Sequence, residues 1–498
     1  MVRKATLVAA IAAFVSLGCT PADGPIDAPA AITDAQAAMG MENLDAITIS
    51  GTANNLTNFQ QSRSATNPAL VAVGNYTRSI DLNAPAARAT GEMMVVGTFG
   101  GAAQPQAFNQ VATGDSGWAQ QLELWLTPWA FLKGAAENGA EAVREGGTTI
   151  VTWMTPETVT APSGLRYTVR GYINDDNLVE RVETWVQDNI AGDMPVDATY
   201  SDYMEVDGVM VPGSVVQTRA GLTYFNAAIT GATVNPTNIA ELVTPPAPAG
   251  GGGRGGRGGG GAPGGRGGGG GGRGAAPDAP VELAEQLDEG VWRITGGYVA
   301  LVVEFADDVV VFEAGQNQAR GAQVIAETRR LFPGKPIRYV VNSHPHSDHT
   351  AGLPAVVAEG IPILTHETNV GFLGNLGNPR TLLADDDLLK QAGTAPMIEG
   401  VGDLRVLEDD TMRMELHHVR DLGHTDGMLV AYLPESRILF QADFTLPAAD
   451  AAPNEFVVTL GENVGRLGLD FERYYAVHDA GALQTRADFD AALARAGQ

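Results

Sequence analysis

Asn342-Ser343-His344-Pro345-His346-Ser347-Asp348-His349-Thr350-Ala351-Gly352 is the stretch on which the reading of this chain turns. It follows a run at 337–342 that has the length and composition of a buried strand. On an extended segment alternate side chains point the same way, so His344 and His346 can converge on one ion. Asp348 and His349 stand where the chain turns into a helix and can face a second ion beside the first. Imidazole nitrogen and carboxylate oxygen suit Zn, Fe, Mn or Co, so ligand type alone leaves the metal open. All eight histidines fall between positions 344 and 478, which places metal chemistry in one part of the chain.

Outward from this motif, 291–294, 299–305 and 309–313 read as short strands and 320–331 as a helix; 360–365, 412–419, 428–433 and 438–442 read as further strands. Such alternation fits an α/β sandwich better than an all-β domain. Three later segments hold further candidate ligands: Gly423-His424-Thr425-Asp426-Gly427, Ile438-Leu439-Phe440-Gln441-Ala442-Asp443 and Ala476-Val477-His478. His-x-His-x-Asp-His followed by these pieces in this order resembles the metallo-β-lactamase superfamily, over about 290–480.

The resemblance implies an αβ/βα sandwich with a two-metal site. One metal would take His344, His346 and His424, the other Asp348, His349 and His478, with Asp443 bridging them. The implied cofactors are two divalent metal ions, zinc first, with iron and manganese as alternatives. Two cations about 3.5–4 Å apart lower the pKa of a shared water and polarise a carbonyl or phosphoryl oxygen of a small-molecule substrate. Asp348 is the candidate catalytic residue, placed to orient the resulting hydroxide. Class B β-lactamases carry Cys or Ser at the position of Asp443, which turns the expected substrate toward an ester, lactone, thioester or phosphoester. Glu313 stands where many relatives have a supporting Asp, and its longer side chain is expected to shift the loop beneath the site. The counterparts of His366, His417 and His418 are not ligands, and these three read as structural or surface residues. Arg380 and Asp385, Asp386 and Asp387 read as part of a solvated loop near the site mouth.

The region 34–244 has a different pattern. It alternates with period two, as in 165–173 and 178–186, and the joint 174–177 carries Asn and Asp turn chemistry. The segments 200–206 and 209–219 read as the next two strands, giving a mainly antiparallel β domain. A helical segment at 119–136 holds Pro128, which predicts a break there. Five of the six tryptophans, Trp118, Trp125, Trp129, Trp153 and Trp185, lie in this half, and no histidine does. The stretches 181–186 and 203–212 resemble the curved sheet of LolA-like lipoprotein-sorting domains, whose concave face cradles acyl chains. The tryptophans are read as ordinary core in preference to the lining of such a groove.

Between the halves, 245–280 is nearly all Gly, Ala, Pro and Arg and cannot bury a core, so it reads as a flexible linker that lets the flanking units move independently. The hydrolase-like unit is then 281–498. At the start, Met-Val-Arg-Lys precedes an apolar run at 5–17, the pattern of an export signal over 1–19. Cys19, the only cysteine of the chain, ends that run in a setting that resembles a bacterial lipobox, with 20–33 as a tether. The resemblance implies a lipid anchor at Cys19 and a periplasmic, outer-membrane lipoprotein. The formal net charge of -27 offers no basic surface for a phosphate backbone, which excludes nucleic acid as an expected partner. Two other functions suit parts of the same sequence: an iron-dependent oxidoreductase of the same superfamily, and a lipid or lipoprotein carrier working through the N-terminal domain. The intact set Asp348, His349 and His478 favours the two-metal hydrolase.

Overall fold

The computed structural model describes residues 23–57, 59–97, 100–245, 284–377, 383, 395–478 and 483–496. The export segment, the Gly/Arg-rich linker and the positions of Arg380, Asp385, Asp386 and Asp387 lie outside the described residues.

Among the described residues the N-terminal half builds one twelve-stranded sheet, with Gly24–Ile26 at one edge and Gly100–Thr113 at the other. Its strands pair antiparallel, as period-two alternation with short turns requires. Thr168–Ile173 buries every second residue and pairs with Val179–Asp188 across the turn at 174–177, where Asn177 adopts φ 60°. The helical segment divides at the expected place into Trp118–Trp125 and Pro128–Glu137. Proline has no N–H to donate, so it suits the first turn of the second helix and not the interior of a continuous one. These helices press Trp118, Trp129 and Phe131 onto the sheet, and Trp153 is buried with them. Gly171 makes room for Phe131, since a Cβ there would lie 2.1 Å from the ring. The tryptophans pack into or against the core of this half, as expected.

Two expectations differ from what is observed. The tether at 20–33 is already structured from Gly24, because Gly24–Ile26 pairs with the strand Glu141–Glu145. Asp27 then caps the helix Ala28–Ala38, its carboxylate accepting from the Ala30 N–H at 3.1 Å, with Pro29 in the first turn. The stretch read as two long strands at 200–219 is broken into Gly192–Ser201, a ribbon of Met204–Val206 with Val209–Val211, and Ser214–Arg219. Asp202 and Asp207 take φ 55° and 49° at the breaks, a left-handed conformation that short polar side chains tolerate.

The C-terminal half is an α/β sandwich. A seven-stranded sheet starts antiparallel with Ala284–Asp288, Val291–Ile294, Ala300–Glu304 and Val309–Phe312, then continues parallel through Ile337–Val341, Ile363–His366 and Ile398–Val401. A six-stranded sheet runs from Leu404–Glu408 through Arg413–Val419, Met428–Leu433, Ile438–Gln441 and Arg473–Ala476 to Gln484–Thr485. Their facing sides share one core, in which Leu301, Val303, Phe312 and Val341 meet Leu416, Leu429, Ala431 and Phe440. The helices Gln318–Leu331 and Leu353–Ala358 cover the other side of the first sheet through Val324, Ile325, Leu353 and Val356. Among the described residues no helix is long and apolar enough to cross a membrane.

The halves meet. Ile190 of the N-terminal half is buried in the core of the first C-terminal sheet, and Leu383 in that of the N-terminal half. Independent motion, expected from the linker composition, is therefore opposed by apolar contacts that lie outside the linker.

Candidate metal centre

Every candidate ligand sits in the connection that follows a strand. Ile337–Val341 delivers His344 and His346, and the short helix Ser347–Thr350 carries Asp348 and His349. His424 lies between Arg413–Val419 and Met428–Leu433, Asp443 follows Ile438–Gln441, and His478 follows Arg473–Ala476. Gly352 lets the turn after the motif close against the loop below. A Cβ there would stand 2.4 Å from the carbonyl oxygen of Ala314 and 2.5 Å from that of Gly315.

The seven residues form two adjoining groups. One ligand atom from each of His344, His346, His424 and Asp443 lies within 4.8 Å of the others, and the same holds for Asp348, His349 and His478. Asp443 joins the groups through its two oxygens. Oδ2 lies 2.8 Å from Nε2 of His424 and 3.6 Å from Nε2 of His344. Oδ1 lies 2.9 Å from Nε2 of His349 and 3.0 Å from Nε2 of His478.

Each ring is turned by what its other nitrogen touches. Nδ1 of His349 donates to Oε2 of Glu313 at 2.9 Å, which leaves Nε2 facing Asp443. Nδ1 of His344 meets the Ser343 hydroxyl at 2.9 Å. His346 is reversed: Nε2 lies 3.2 Å from the carbonyl oxygen of Ser62 and must donate to it, because a carbonyl only accepts. In the neutral ring that leaves Nδ1 with a lone pair, and this atom is buried without a hydrogen-bond partner.

Glu313 is a supporting residue of this centre. It is fully buried, its Oε1 accepts the Ser343 N–H at 2.8 Å, and its backbone adopts φ 77°. A non-glycine residue held in the left-handed region stores strain on the order of 1–3 kcal/mol, and such strain gathers at functional sites. The longer side chain thus reaches both the ligand-bearing loop and the ligand itself.

The charge balance follows from burial. His344 is held well below the usual imidazole range by burial and by the neighbouring His349. Burial and His424 lower His346 to about 3. Burial works against a charge on His349 as well, but the Asp443 and Glu313 carboxylates outweigh it and hold this ring well above its ordinary value. Asp443 is kept well below the carboxylate range, in spite of burial, by His349 and His344. Asp348 is lowered by His349 against the effect of burial.

The donor set fits divalent cations. Imidazole nitrogens face one another at 3.0 Å between His349 and His478 and at 3.4 Å between His344 and His424. Facing lone pairs repel unless a proton or cation lies among them, and the orphaned Nδ1 of His346 needs one too. Nitrogen and carboxylate donors without thiolate are the chemistry expected for such ions.

Three residues in contact with the centre, Tyr298, Gln61 and Ser62, carry no motif. The phenol of Tyr298 donates to Oδ2 of Asp348 at 3.0 Å, and its ring lies 4.4 Å from that of His478. Burial and Asp348 raise its pKa, so the hydroxyl stays a donor. Arg320 holds the Tyr298 loop by donating to the carbonyls of Ile294 at 2.9 Å and Tyr298 at 3.0 Å. Gln61 and Ser62 come from the other half of the chain. Of the remaining histidines, the rings of His366 and His418 lie 3.9 Å apart and tilted by 31°, and Nε2 of His417 donates to Glu415 at 2.8 Å. None of the three belongs to either ligand group.

Two facing sheets with helices outside, and seven candidate ligands on the connections at one edge, define an αβ/βα sandwich with a candidate metal site. Residues 292–495 match the family model of the Metallo-beta-lactamase superfamily, and this C-terminal region is a domain of that superfamily. Among curated proteins the chain is 25% identical over 173 residues to a linear primary-alkylsulfatase of a Pseudomonas species, covering 29% of this chain and 33% of that one. It is also 25% identical over 203 residues to the alpha subunit of a 2,4-dinitroanisole O-demethylase of a Nocardioides species, covering 40% and 58%. The chain thus spans between a third and about three fifths of these relatives' lengths. A solved metallo-beta-lactamase from Pontibacter korlensis aligns with 42% of this chain and 96% of its own, at 16% identity and a TM-score of 0.34.

Proposed function

We propose that the C-terminal domain is a hydrolase that works with two divalent metal ions, zinc before iron or manganese, on an ester, lactone, thioester or phosphoester bond of a small molecule. The observation that carries this reading is the position of Asp443, whose two oxygens face separate histidine groups. When bound, such a pair of ions supplies a water of lowered pKa and polarises the substrate oxygen.

The chain's own residues supply the rest. Asp443 and Glu313 offset the cations with buried negative charge. His344, His346, His349, His424 and His478 hold fixed directions, so no ligand has to reorganise during turnover. Asp348 is ionised and about 29% exposed, with Tyr298 donating to Oδ2 and Gln61 to Oδ1. It is the group placed to orient an attacking water and to accept its proton. The site is closed by burial around His344 and His349 and is more open near Asp348 and His478, which gives the substrate its approach.

Export is proposed on the sequence pattern of 1–19, with Cys19 as the lipid anchor of an outer-membrane lipoprotein facing the periplasm. Labelled fatty acid should enter the wild type and not Cys19→Ala.

The functional test is turnover of a panel of lactone, thioester, carboxylic ester, phosphodiester, β-lactam, primary alkyl sulfate and aryl methyl ether substrates by the purified full chain and by His346→Ala. Hydrolysis of one of the first four classes that the substitution abolishes supports the proposal. Stoichiometric iron with oxygen uptake and no hydrolysis overturns it in favour of an oxidoreductase.

A further inference from the structure

Residues 60–63, in the loop that joins Ala46–Asn55 to Val71–Asp81 of the N-terminal sheet, reach the C-terminal half and lie on the candidate metal centre. Three of its carbonyls are used there. Gln60 accepts the Ser347 N–H at 2.9 Å, Ser62 accepts Nε2–H of His346 at 3.2 Å, and Arg63 accepts the Asp426 N–H at 2.9 Å. The partners are a ligand, its chain neighbour and a residue two positions after the ligand His424, so the loop ties together the segments that bear three ligands of one group and the start of the other. The amide of Gln61 donates to Oδ1 of Asp348 and to the Ser347 hydroxyl, each at 2.9 Å. The loop is in turn held to its own half by Gln60, whose amide donates to Asp188 at 2.9 Å while its backbone sits at φ 60°. Asp188 stands two residues before Ile190, the side chain buried in the core of the C-terminal half.

We propose that residues 60–63 are a strap belonging to the metal centre, in which Gln61 is a positioning residue for Asp348 and the Ser62 carbonyl fixes the tautomer of His346. The inference rests on the reading of the seven residues as metal ligands. A histidine that ligates through one nitrogen needs a fixed acceptor at the other, and partners of this kind commonly change metal affinity by about 10- to 100-fold when removed. Here that acceptor comes from a separate sheet. The N-terminal half is then required for a complete metal centre, and substrate enters on the side of His478, because the strap covers His346 and one oxygen of Asp348.

The test uses the full chain loaded with cobalt(II), and follows both its visible absorption and metal loss to a chelator. Three variants are compared: Gln61→Ala, a deletion of residues 60–63, and Arg329→Ala. The Arg329 side chain bonds Glu359 at 3.0 Å on the helix side of the first sheet, with both groups well exposed, so its removal is expected to leave both readouts unchanged. Gln61→Ala is expected to speed metal loss about tenfold in one kinetic phase, that of the group containing Asp348, and to shift the cobalt spectrum. The deletion is expected to speed both phases. Metal bound by all variants with wild-type spectra and loss rates overturns the strap proposal and leaves the metal centre standing. Failure of the wild type to bind cobalt overturns both. Should the deletion variant not fold, Gln61→Ala alone decides.

Discussion

The two halves of this chain use the same kind of scaffold for opposite ends. Both present β-sheet covered by helices, yet the N-terminal half buries five tryptophans wholly or in part and holds no histidine, while the C-terminal sandwich carries all eight histidines, five of them in the connections that follow its strands. Side chains that pack and side chains that react have been kept apart. The hydrogen bonds have not: the N-terminal half reaches the candidate metal centre through the Gln61 amide and through carbonyl oxygens, which every residue has and no sequence pattern marks. Function assigned by residue type alone stops at the domain boundary, whereas the hydrogen bonds do not.

Substitutions that touch only one half sharpen this contrast. The largest effect is expected from Asp443→Asn, which leaves one oxygen and one amide where two oxygens served both groups. Turnover should fall by about a hundredfold or more, with loss of at least one metal, measured on the full chain with any substrate it accepts. In the other half, Trp129→Ala removes a buried indole whose Nε1 donates to the Met210 carbonyl at 3.2 Å. It should cost about 3–5 kcal/mol of stability in urea unfolding. Because the strap belongs to the same sheet, metal loss should accelerate when the N-terminal half unfolds. Metal retained after that transition would show the halves to be functionally separate.

A smaller change is expected from Glu313→Gln. The amide has one oxygen, so either the Ser343 N–H or Nδ1–H of His349 loses its acceptor, and metal affinity should weaken by about tenfold in chelator competition. The smallest effect concerns His366, away from the ligands. Burial and the neighbouring His418 lower its pKa from 6.5 to about 4 in the folded chain. The unfolded state therefore takes up a proton first, so this ring lowers stability as pH falls from about 6.5 toward 4. In His366→Gln the unfolding midpoint should vary less across that window, and an unchanged pH dependence would remove the assignment.

The difference between the halves also explains what could be read in advance. The candidate ligands could be picked out because His344, His346, Asp348 and His349 stand in one short run behind an apolar strand, and His424, Asp443 and His478 follow other apolar strands in order; the fold brings these seven side chains together. Strand positions were legible wherever burial alternates, as in Thr168–Ile173. Asp27 followed by Pro29 carried a capping signal for Ala28–Ala38 that composition rich in Ala and Pro concealed. Tyr298 lies fifty positions before Asp348 in a Gly-Gly-Tyr segment with no pattern of its own, and only the fold brings its hydroxyl to the carboxylate. Gln61 and Ser62 lie still further away, and Ser62 acts through its carbonyl, so nothing in its side chain announces the contact.

Seven side chains, joined by Asp443, are proposed to hold two ions. Native mass spectrometry of the full chain after metal loading and desalting counts them. Two divalent ions per chain are expected in the wild type, and one in a His478→Ala variant. A folded wild type that carries a single ion, unaffected by substitution of His478 or Asp348, or that carries none, would contradict it.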